Sequence, residues 1–237
     1  MPIHQIKLLN RKEVAFNTFE FTFEKPNQFT FIPGQYGGFT LINPSKTDAK
    51  GSTRRFSILS TPDDTVISIV TRLQGSAFKE VLLELPIGSA IKLAGPTGAF
   101  ILNDDLSIPS VLIAGGIGVA PFYSMIKQAA MQKIPRKIYL FYGNPSLKEA
   151  AYLNELRDIE NQYSHFSLIA TMDNPDENWS GEIGFINSDM IYKHVKEVDQ
   201  AIYYICGSPS MVNALHQTLL ELNINEDQIR MEDFPGY

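Results

Sequence analysis

The feature that most constrains this chain is a change of rhythm near residue 104. Before it, short strand-like runs are separated by turn residues; after it, apolar runs take turns with helical patterns. In the first stretch Thr18-Phe19-Glu20-Phe21-Thr22-Phe23-Glu24 alternates aromatic and polar residues with period two, which puts three phenylalanines on one sheet face. Further strands are expected over Tyr36–Ile42, Arg55–Leu59, Thr65–Arg72 and Ala90–Ala94, with one helix over Ala77–Leu85 ahead of Pro86. Pro33-Gly34 and Thr61-Pro62-Asp63-Asp64 supply turns between them. Short strands at this spacing predict a small, antiparallel, six-stranded β-barrel.

The second stretch begins with an apolar strand, Ser110–Ala114. Then come a helix over Ala120–Gln132, strand Lys137–Tyr142, helix Leu147–Glu160, strand Phe166–Thr171, helix Asp189–Lys196, strand Ala201–Cys206, helix Pro209–Leu222 and strand Gln228–Phe234. Strand alternating with helix predicts an α/β domain with a parallel sheet covered on both faces. The reading is therefore two domains, 1–104 and 105–237, meeting near Asn103-Asp104-Asp105. Each is long enough to bury a core.

Charge supports the division. Residues 1–104 carry 11 basic and 9 acidic side chains, and residues 105–237 carry 9 and 17, so the halves differ in sign. A net charge of −6 with no basic run argues against nucleic acid as a partner. The single cysteine, Cys206, excludes a disulfide framework and a cysteine-ligated zinc or iron–sulfur centre in this chain. No apolar run reaches the length of a membrane span; the nearest, Val111–Ala120, is broken by three glycines. The first five residues lack the basic and apolar regions of a signal peptide, so a cytoplasmic protein is expected.

Four segments carry chemistry. Gly115-Gly116-Ile117-Gly118-Val119-Ala120-Pro121 follows an expected strand and opens an expected helix. Glycines allow close backbone approach, and a helix N-terminus offers N–H groups to a pyrophosphate. The same residues would also make a tight strand–helix turn with no ligand. The segment departs from G-x-G-x-x-G, since Pro121 takes the third glycine position and Gly143-Asn144 stand where a ribose-binding acid is expected. Cys206-Gly207-Ser208-Pro209 repeats the arrangement at another strand end, although a lone cysteine is often only a small buried hydrophobe. Thr53-Arg54-Arg55-Phe56-Ser57 combines an arginine pair, an aromatic ring and a hydroxyl, suited to a phosphate and a flat ring, while Phe56 alone would serve equally as core. Gly75-Ser76-Ala77-Phe78-Lys79 opens the barrel's helix, either for a second phosphate or with Ser76 as an ordinary N-cap.

Taken in order, Arg54–Ser57, Gly75–Leu82, Gly95-Pro96-Thr97-Gly98, Gly115–Pro121 and Cys206–Pro209 resemble the ferredoxin–NADP+ reductase superfamily over nearly the whole chain, and Phe31-Ile32-Pro33-Gly34-Gln35-Tyr36 looks like that family's barrel. The resemblance implies a flavin-binding barrel and a nicotinamide-nucleotide domain, with FAD ahead of FMN as the flavin and NADH or NADPH as its redox partner. Arg54 matches the arginine on the flavin pyrophosphate. Phe56 stands where a tyrosine usually faces the flavin ring, and Ser57 matches the residue near flavin N5. Thr71 and Arg72 lie near the ribityl and phosphate portion, and Gly75, Ser76 and Ala77 match the phosphate-binding helix start; Lys79 replaces a common serine just beyond. Gly115, Gly116, Gly118 and Pro121 match the nicotinamide-nucleotide pyrophosphate loop. Cys206 matches the cysteine beside nicotinamide C4, with Gly207 and Pro209 in its loop.

Hydride transfer from nicotinamide C4 to flavin N5 is then implied. Ser57 would be hydrogen-bonded to N5, and Cys206 would be a steric and polarity guide. Phe234 or Tyr237 would cover the flavin, and Glu232 would handle a proton. Lys148 is the one cation in Asn144–Glu149 and Thr171–Asn174, against Glu149 and Asp173, which leans towards NADH. Trp179-Ser180-Gly181-Glu182-Ile183-Gly184 resembles a loop of NADH-linked members, or is a surface turn around one tryptophan. Electrons would leave to a separate acceptor, such as a ferredoxin, flavodoxin, oxygenase component, haem protein or small molecule. A flavin-binding electron-transfer subunit, inactive alone, and a nucleotide sensor without turnover are the other readings.

Overall fold

The computed structural model describes residues 2–234. Six strands, β1 (Ile3–Ala15), β2 (Thr18–Glu24), β3 (Tyr36–Leu41), β4 (Thr53–Ser57), β5 (Val66–Arg72) and β6 (Ala90–Thr97), form one antiparallel sheet in the order β4-β3-β6-β1-β2-β5. The sheet curls until its edges meet: the Leu59 N–H, just past β4, donates to Ser68 O of β5 at 2.8 Å. Inward residues fill the barrel, among them Ile6, Leu8, Phe21, Phe23, Phe39, Ile67 and Leu93, all fully buried. Helix α1 (Ala77–Glu84) closes one end with Phe78, Val81 and Leu82. The barrel is the architecture expected, with β1 added. That strand escapes sequence reading because only Ile6 and Leu8 of its 13 residues are buried and a register shift between Leu8 and Asn10 breaks its alternation.

The second sheet is wholly parallel, in the order β10-β9-β8-β7-β11-β12. Its strands are β7 (Ser110–Gly115), β8 (Ile138–Asn144), β9 (Phe166–Met172), β10 (Glu182–Ile183), β11 (Ile202–Gly207) and β12 (Ile229–Asp233). Helices α2 (Val119–Met131) and α3 (Leu153–Gln162) flank the strands, as do α4 (Ser188–His194) and α5 (Pro209–Glu221). Along β7, Leu112 and Ala114 pack with Phe122 and Ile126, while Val111 and Ile113 pack with Val212 and Leu215. Both faces are covered, which is why these strands read as continuous apolar runs.

One expected element is corrected. The helix expected over Leu147–Glu160 is a short 3-10 turn, Leu147–Glu149, then a break, then α3. Tyr152 causes the break by adopting left-handed backbone with φ 60°. Its ring lies 4.6 Å from that of Tyr123, and its hydroxyl donates to Glu20 Oε2 of β2 at 3.0 Å. A contact between the two halves thus overrides local helix propensity.

The halves are joined by more than the chain. Leu59, Val70 and Phe100 belong to the same core as Phe122 and Tyr204. Ser124 Oγ donates to Ser60 O at 2.7 Å, and Lys127 pairs with Asp64 at 2.9 Å. Arg136, 2% exposed, donates to Asn103, the Asp105 carbonyl and Ser110 Oγ, which fastens the connecting segment to β7. Among the described residues, no helix is long and apolar enough to cross a membrane.

Candidate functional site

A cleft of about 1040 Å³ lies between the barrel and the C-terminal ends of the parallel strands. Its barrel wall comes from β4, β5, the Gly75–Ser76 turn and the loop before β4; its far wall comes from Ile117, Ala120 and residues 232–234. The position follows from topology, since ligands of open parallel sheets bind beyond the strands' carboxyl ends.

At one end of the cleft stands the N-terminus of α1. Ser76, its N-cap, makes no side-chain cap hydrogen bond, and its hydroxyl is buried without a partner. The Ala77 N–H donates instead to Asp48 Oδ2 at 3.1 Å. Arg54 Nη2 donates to both Asp48 oxygens, at 2.6 and 2.7 Å, and its Nη1 donates to the carbonyls of Lys50, Gly51 and Thr53. This guanidinium holds the Asp48 carboxyl below its usual range. Lys79, 9% exposed, is pushed down to about 8 by burial, helped by Arg54, Lys50 and Arg72. Sequence reading gave neither Asp48 nor Lys50 a role.

The middle of the cleft holds the ring-binding candidates. Phe56 lines it and also packs on Phe39 and Phe78, with ring centroids at 5.9 and 5.8 Å. Ser57 is 5% exposed and its hydroxyl has no partner. The Arg55 guanidinium lies 5.6 Å from the centre of the Tyr36 ring. Thr71 is buried, and the Nε of Arg72 is buried without a partner.

At the far wall, Glu232 is pushed up to about 7, first by burial and then by Asp233. Its Oε2 is buried and unpaired. Phe234 lines the cleft, and its N–H donates to Gly207 O at 3.0 Å. Tyr237 lies outside the described residues.

The second group of expected residues gathers at the sheet's end beside the cleft. Gly116–Gly118 form a 3-10 turn that leads into α2, with Pro121 in its first turn. A Cβ on Gly118 would stand 2.2 Å from Cys206 O, and one on Gly115 would stand 2.0 Å from Met211 Sδ. Glycine is needed at 118, where the loop lies directly on the backbone of β11, whereas at 115 the flexible Met211 side chain can give way. Cys206 is fully buried, and burial pushes its thiol up, with Glu232 and Asp233 adding to the effect. That leaves the thiol neutral and a poor nucleophile. Ser208 caps α5 by accepting from the Met211 N–H, and Pro209 opens the helix. Burial raises Asp173, beyond the end of β9. The Trp179 indole donates to Glu182 O at 2.8 Å beneath the Arg157 guanidinium.

Nine buried side-chain polar atoms lack a partner among the described residues, and four of them, on Ser57, Arg72, Ser76 and Glu232, belong to residues lining this one cleft. Each unmet group costs about 1–3 kcal/mol, so their clustering points to a polar ligand. With Arg54, Arg72, Lys79, a helix N-terminus and Phe56 beside Ser57, the lining fits a phosphorylated compound with a flat ring.

Residues 112–217 match the family "Oxidoreductase NAD-binding domain". The ferredoxin NADP+ reductase of Neisseria gonorrhoeae, solved with FAD and NADP bound, superimposes with a TM-score of 0.81, covering 98% of each chain at 22% identity. At that identity the likeness shows a shared two-sheet fold. The chain is 28% identical over 237 residues to the toluate 1,2-dioxygenase electron transfer component of Pseudomonas putida, covering 98% of this chain and 67% of that protein. It is also 28% identical over 218 residues to the propane 2-monooxygenase reductase component of Mycolicibacterium goodii, covering 89% of this chain and 61% of that protein. The chain thus spans roughly three fifths to two thirds of these curated relatives, so it accounts for only part of their length.

Proposed function

We propose that this chain is an NAD(P)H-dependent flavin oxidoreductase. Residues 1–104 hold FAD, residues 105–237 hold the nicotinamide nucleotide, and electrons pass to a separate acceptor in the cytoplasm. The observation that carries this reading is the cleft in which the unpaired groups of Ser57, Arg72, Ser76 and Glu232 converge between barrel and parallel sheet. A flavin bound there supplies two-electron chemistry towards a nicotinamide and electron delivery towards an acceptor.

The chain's own residues orient and shield. Arg54, Arg72, Lys79 and the Gly75-Ser76-Ala77 turn take the phosphate end, where cations and helix N–H groups stabilise negative charge. Ser57 offers a hydroxyl to the polar edge of the ring, beside Phe56 and Arg55. Thr71, buried in the lining, would adjoin the linker between ring and phosphate. Gly115, Gly116, Gly118, Pro121, Gly207 and Pro209 shape the nucleotide's seat at the sheet end. Cys206, neutral and buried, keeps that seat apolar. Glu232 holds or yields a proton near pH 7 at the far wall, and Phe234 shields the cleft from water. Asp173 would repel a 2′-phosphate, which favours NADH.

The two relatives' names, a reductase component and an electron transfer component, favour an oxygenase-type protein as the acceptor. The test is steady-state reduction of ferricyanide by the FAD-loaded protein. Turnover with NADH exceeding that with NADPH supports the reading; no turnover with either nucleotide refutes it for the isolated chain.

A further inference from the structure

We propose that Asp48 is an internal competitor for the phosphate end of the cleft: the loop between β3 and β4 delivers a carboxylate onto the donors that a flavin nucleotide's phosphates need, and the nucleotide binds by displacing it. The inference rests on the flavin reading above and adds a residue that sets flavin affinity.

Asp48 reaches Ala77 across 29 positions of sequence, and its two oxygens engage both the Ala77 N–H and the Arg54 guanidinium. A guanidinium and the N–H groups of a helix start are the donors that phosphate oxygens use. The loop is tied down a second time by Lys46, which pairs with Glu80 at 2.5 Å. Meanwhile Ser76, at the position from which a serine normally caps a helix, is left buried and unpaired.

The surroundings favour exchange. Lys50, Arg54, Arg72 and Lys79 line the same cleft as Asp48, so a phosphate that enters there meets cations as well as this carboxylate. A diphosphate brings more charge and more acceptor oxygens than Asp48 does. The Asp48 side chain is 30% exposed and can swing into water, while Arg54, at 14%, keeps the carbonyls of Lys50, Gly51 and Thr53 as acceptors. The ligand that replaces it extends towards Ser57, 95% buried and unpaired in the same cleft, and so carries more than an anion. Flavin is then held as an exchangeable ligand, because part of its phosphate binding is spent on releasing the loop.

The experiment uses flavin-free full-length protein and three probes: FAD and riboflavin by fluorescence, and inorganic pyrophosphate by calorimetry. Asp48→Asn keeps an acceptor for Ala77 but removes the charge. The expected result is FAD and pyrophosphate binding about tenfold tighter than wild type, with riboflavin, which has no phosphate, unchanged. Unchanged or weaker binding of both phosphate probes would overturn the inference and leave Asp48 as scaffolding. If neither protein bound FAD but the variant still gained for pyrophosphate, the flavin reading would fall and the competitor would stand. Should Asp48→Asn not fold, Lys46→Ala decides: freeing the loop must tighten FAD binding, and no gain would overturn the proposal.

Discussion

Glu232 is the residue whose environment speaks most directly to chemistry. Burial beside Asp233 lifts its carboxyl from 4.5 to about 7, so the folded protein binds its proton more tightly than the unfolded chain does. Folding stability from this group is therefore complete below about pH 4.5 and is lost as pH rises through about 7. Glu232→Gln removes the ionisation: stability should rise by roughly 1–3 kcal/mol at pH 8 and hardly change near pH 4, read from urea unfolding at both values. The same variant should flatten the pH dependence of turnover between pH 6 and 8. Ser57 makes a different prediction. Ser57→Ala should keep its flavin yet slow flavin reduction by about tenfold, the worth of one hydrogen bond, in single-turnover kinetics. Sequence named both as candidates, Ser57 through the order of the motifs and Glu232 through the likeness of the chain's end, and the structure places both in the lining of one cleft. Asp48 was not named, because its partners Arg54 and Ala77 meet it only after the barrel has formed, and a lone aspartate in a loop carries no pattern.

At the scale of elements, the loop from β7 into α2 is fixed by what it packs on. Gly118 lies so close to β11 that a methyl group would meet Cys206 O at 2.2 Å. Gly118→Ala should cost roughly 2 kcal/mol in denaturant unfolding, since backbone on both sides must move. It should also weaken nicotinamide-nucleotide binding while leaving the flavin in place. Tyr152 gives a milder case: Tyr152→Phe loses the bond to Glu20 and should cost about 1 kcal/mol by the same measurement. Strands β2 and β7 and helices α2 and α5 were legible because their periodicity comes from burial within one domain. β1 was not, having just two buried positions, and the helix break at Tyr152 was not, since its cause lies in the other half of the molecule.

For the whole molecule, the change of rhythm near residue 104 translates into two sheets of opposite character joined by a common core. Leu59, Val70 and Phe100 from the barrel share that core with Phe122 and Tyr204, while Lys127–Asp64 and Tyr152–Glu20 bridge it at the periphery. This joint brings the polar end of β4 opposite the end of β12 and so creates the cleft; neither domain has it alone. Sequence motifs name residues on both walls, but the facing of Ser57 and Glu232 across one space depends on packing between domains, which no local pattern encodes. The most direct test of the account is an anaerobic titration of the FAD-loaded protein with NADH and then NADPH, following flavin absorption. Full bleaching by near-stoichiometric NADH, with a slower or partial response to NADPH, is expected; a flavin that stays oxidised under excess of both would contradict hydride transfer in this cleft.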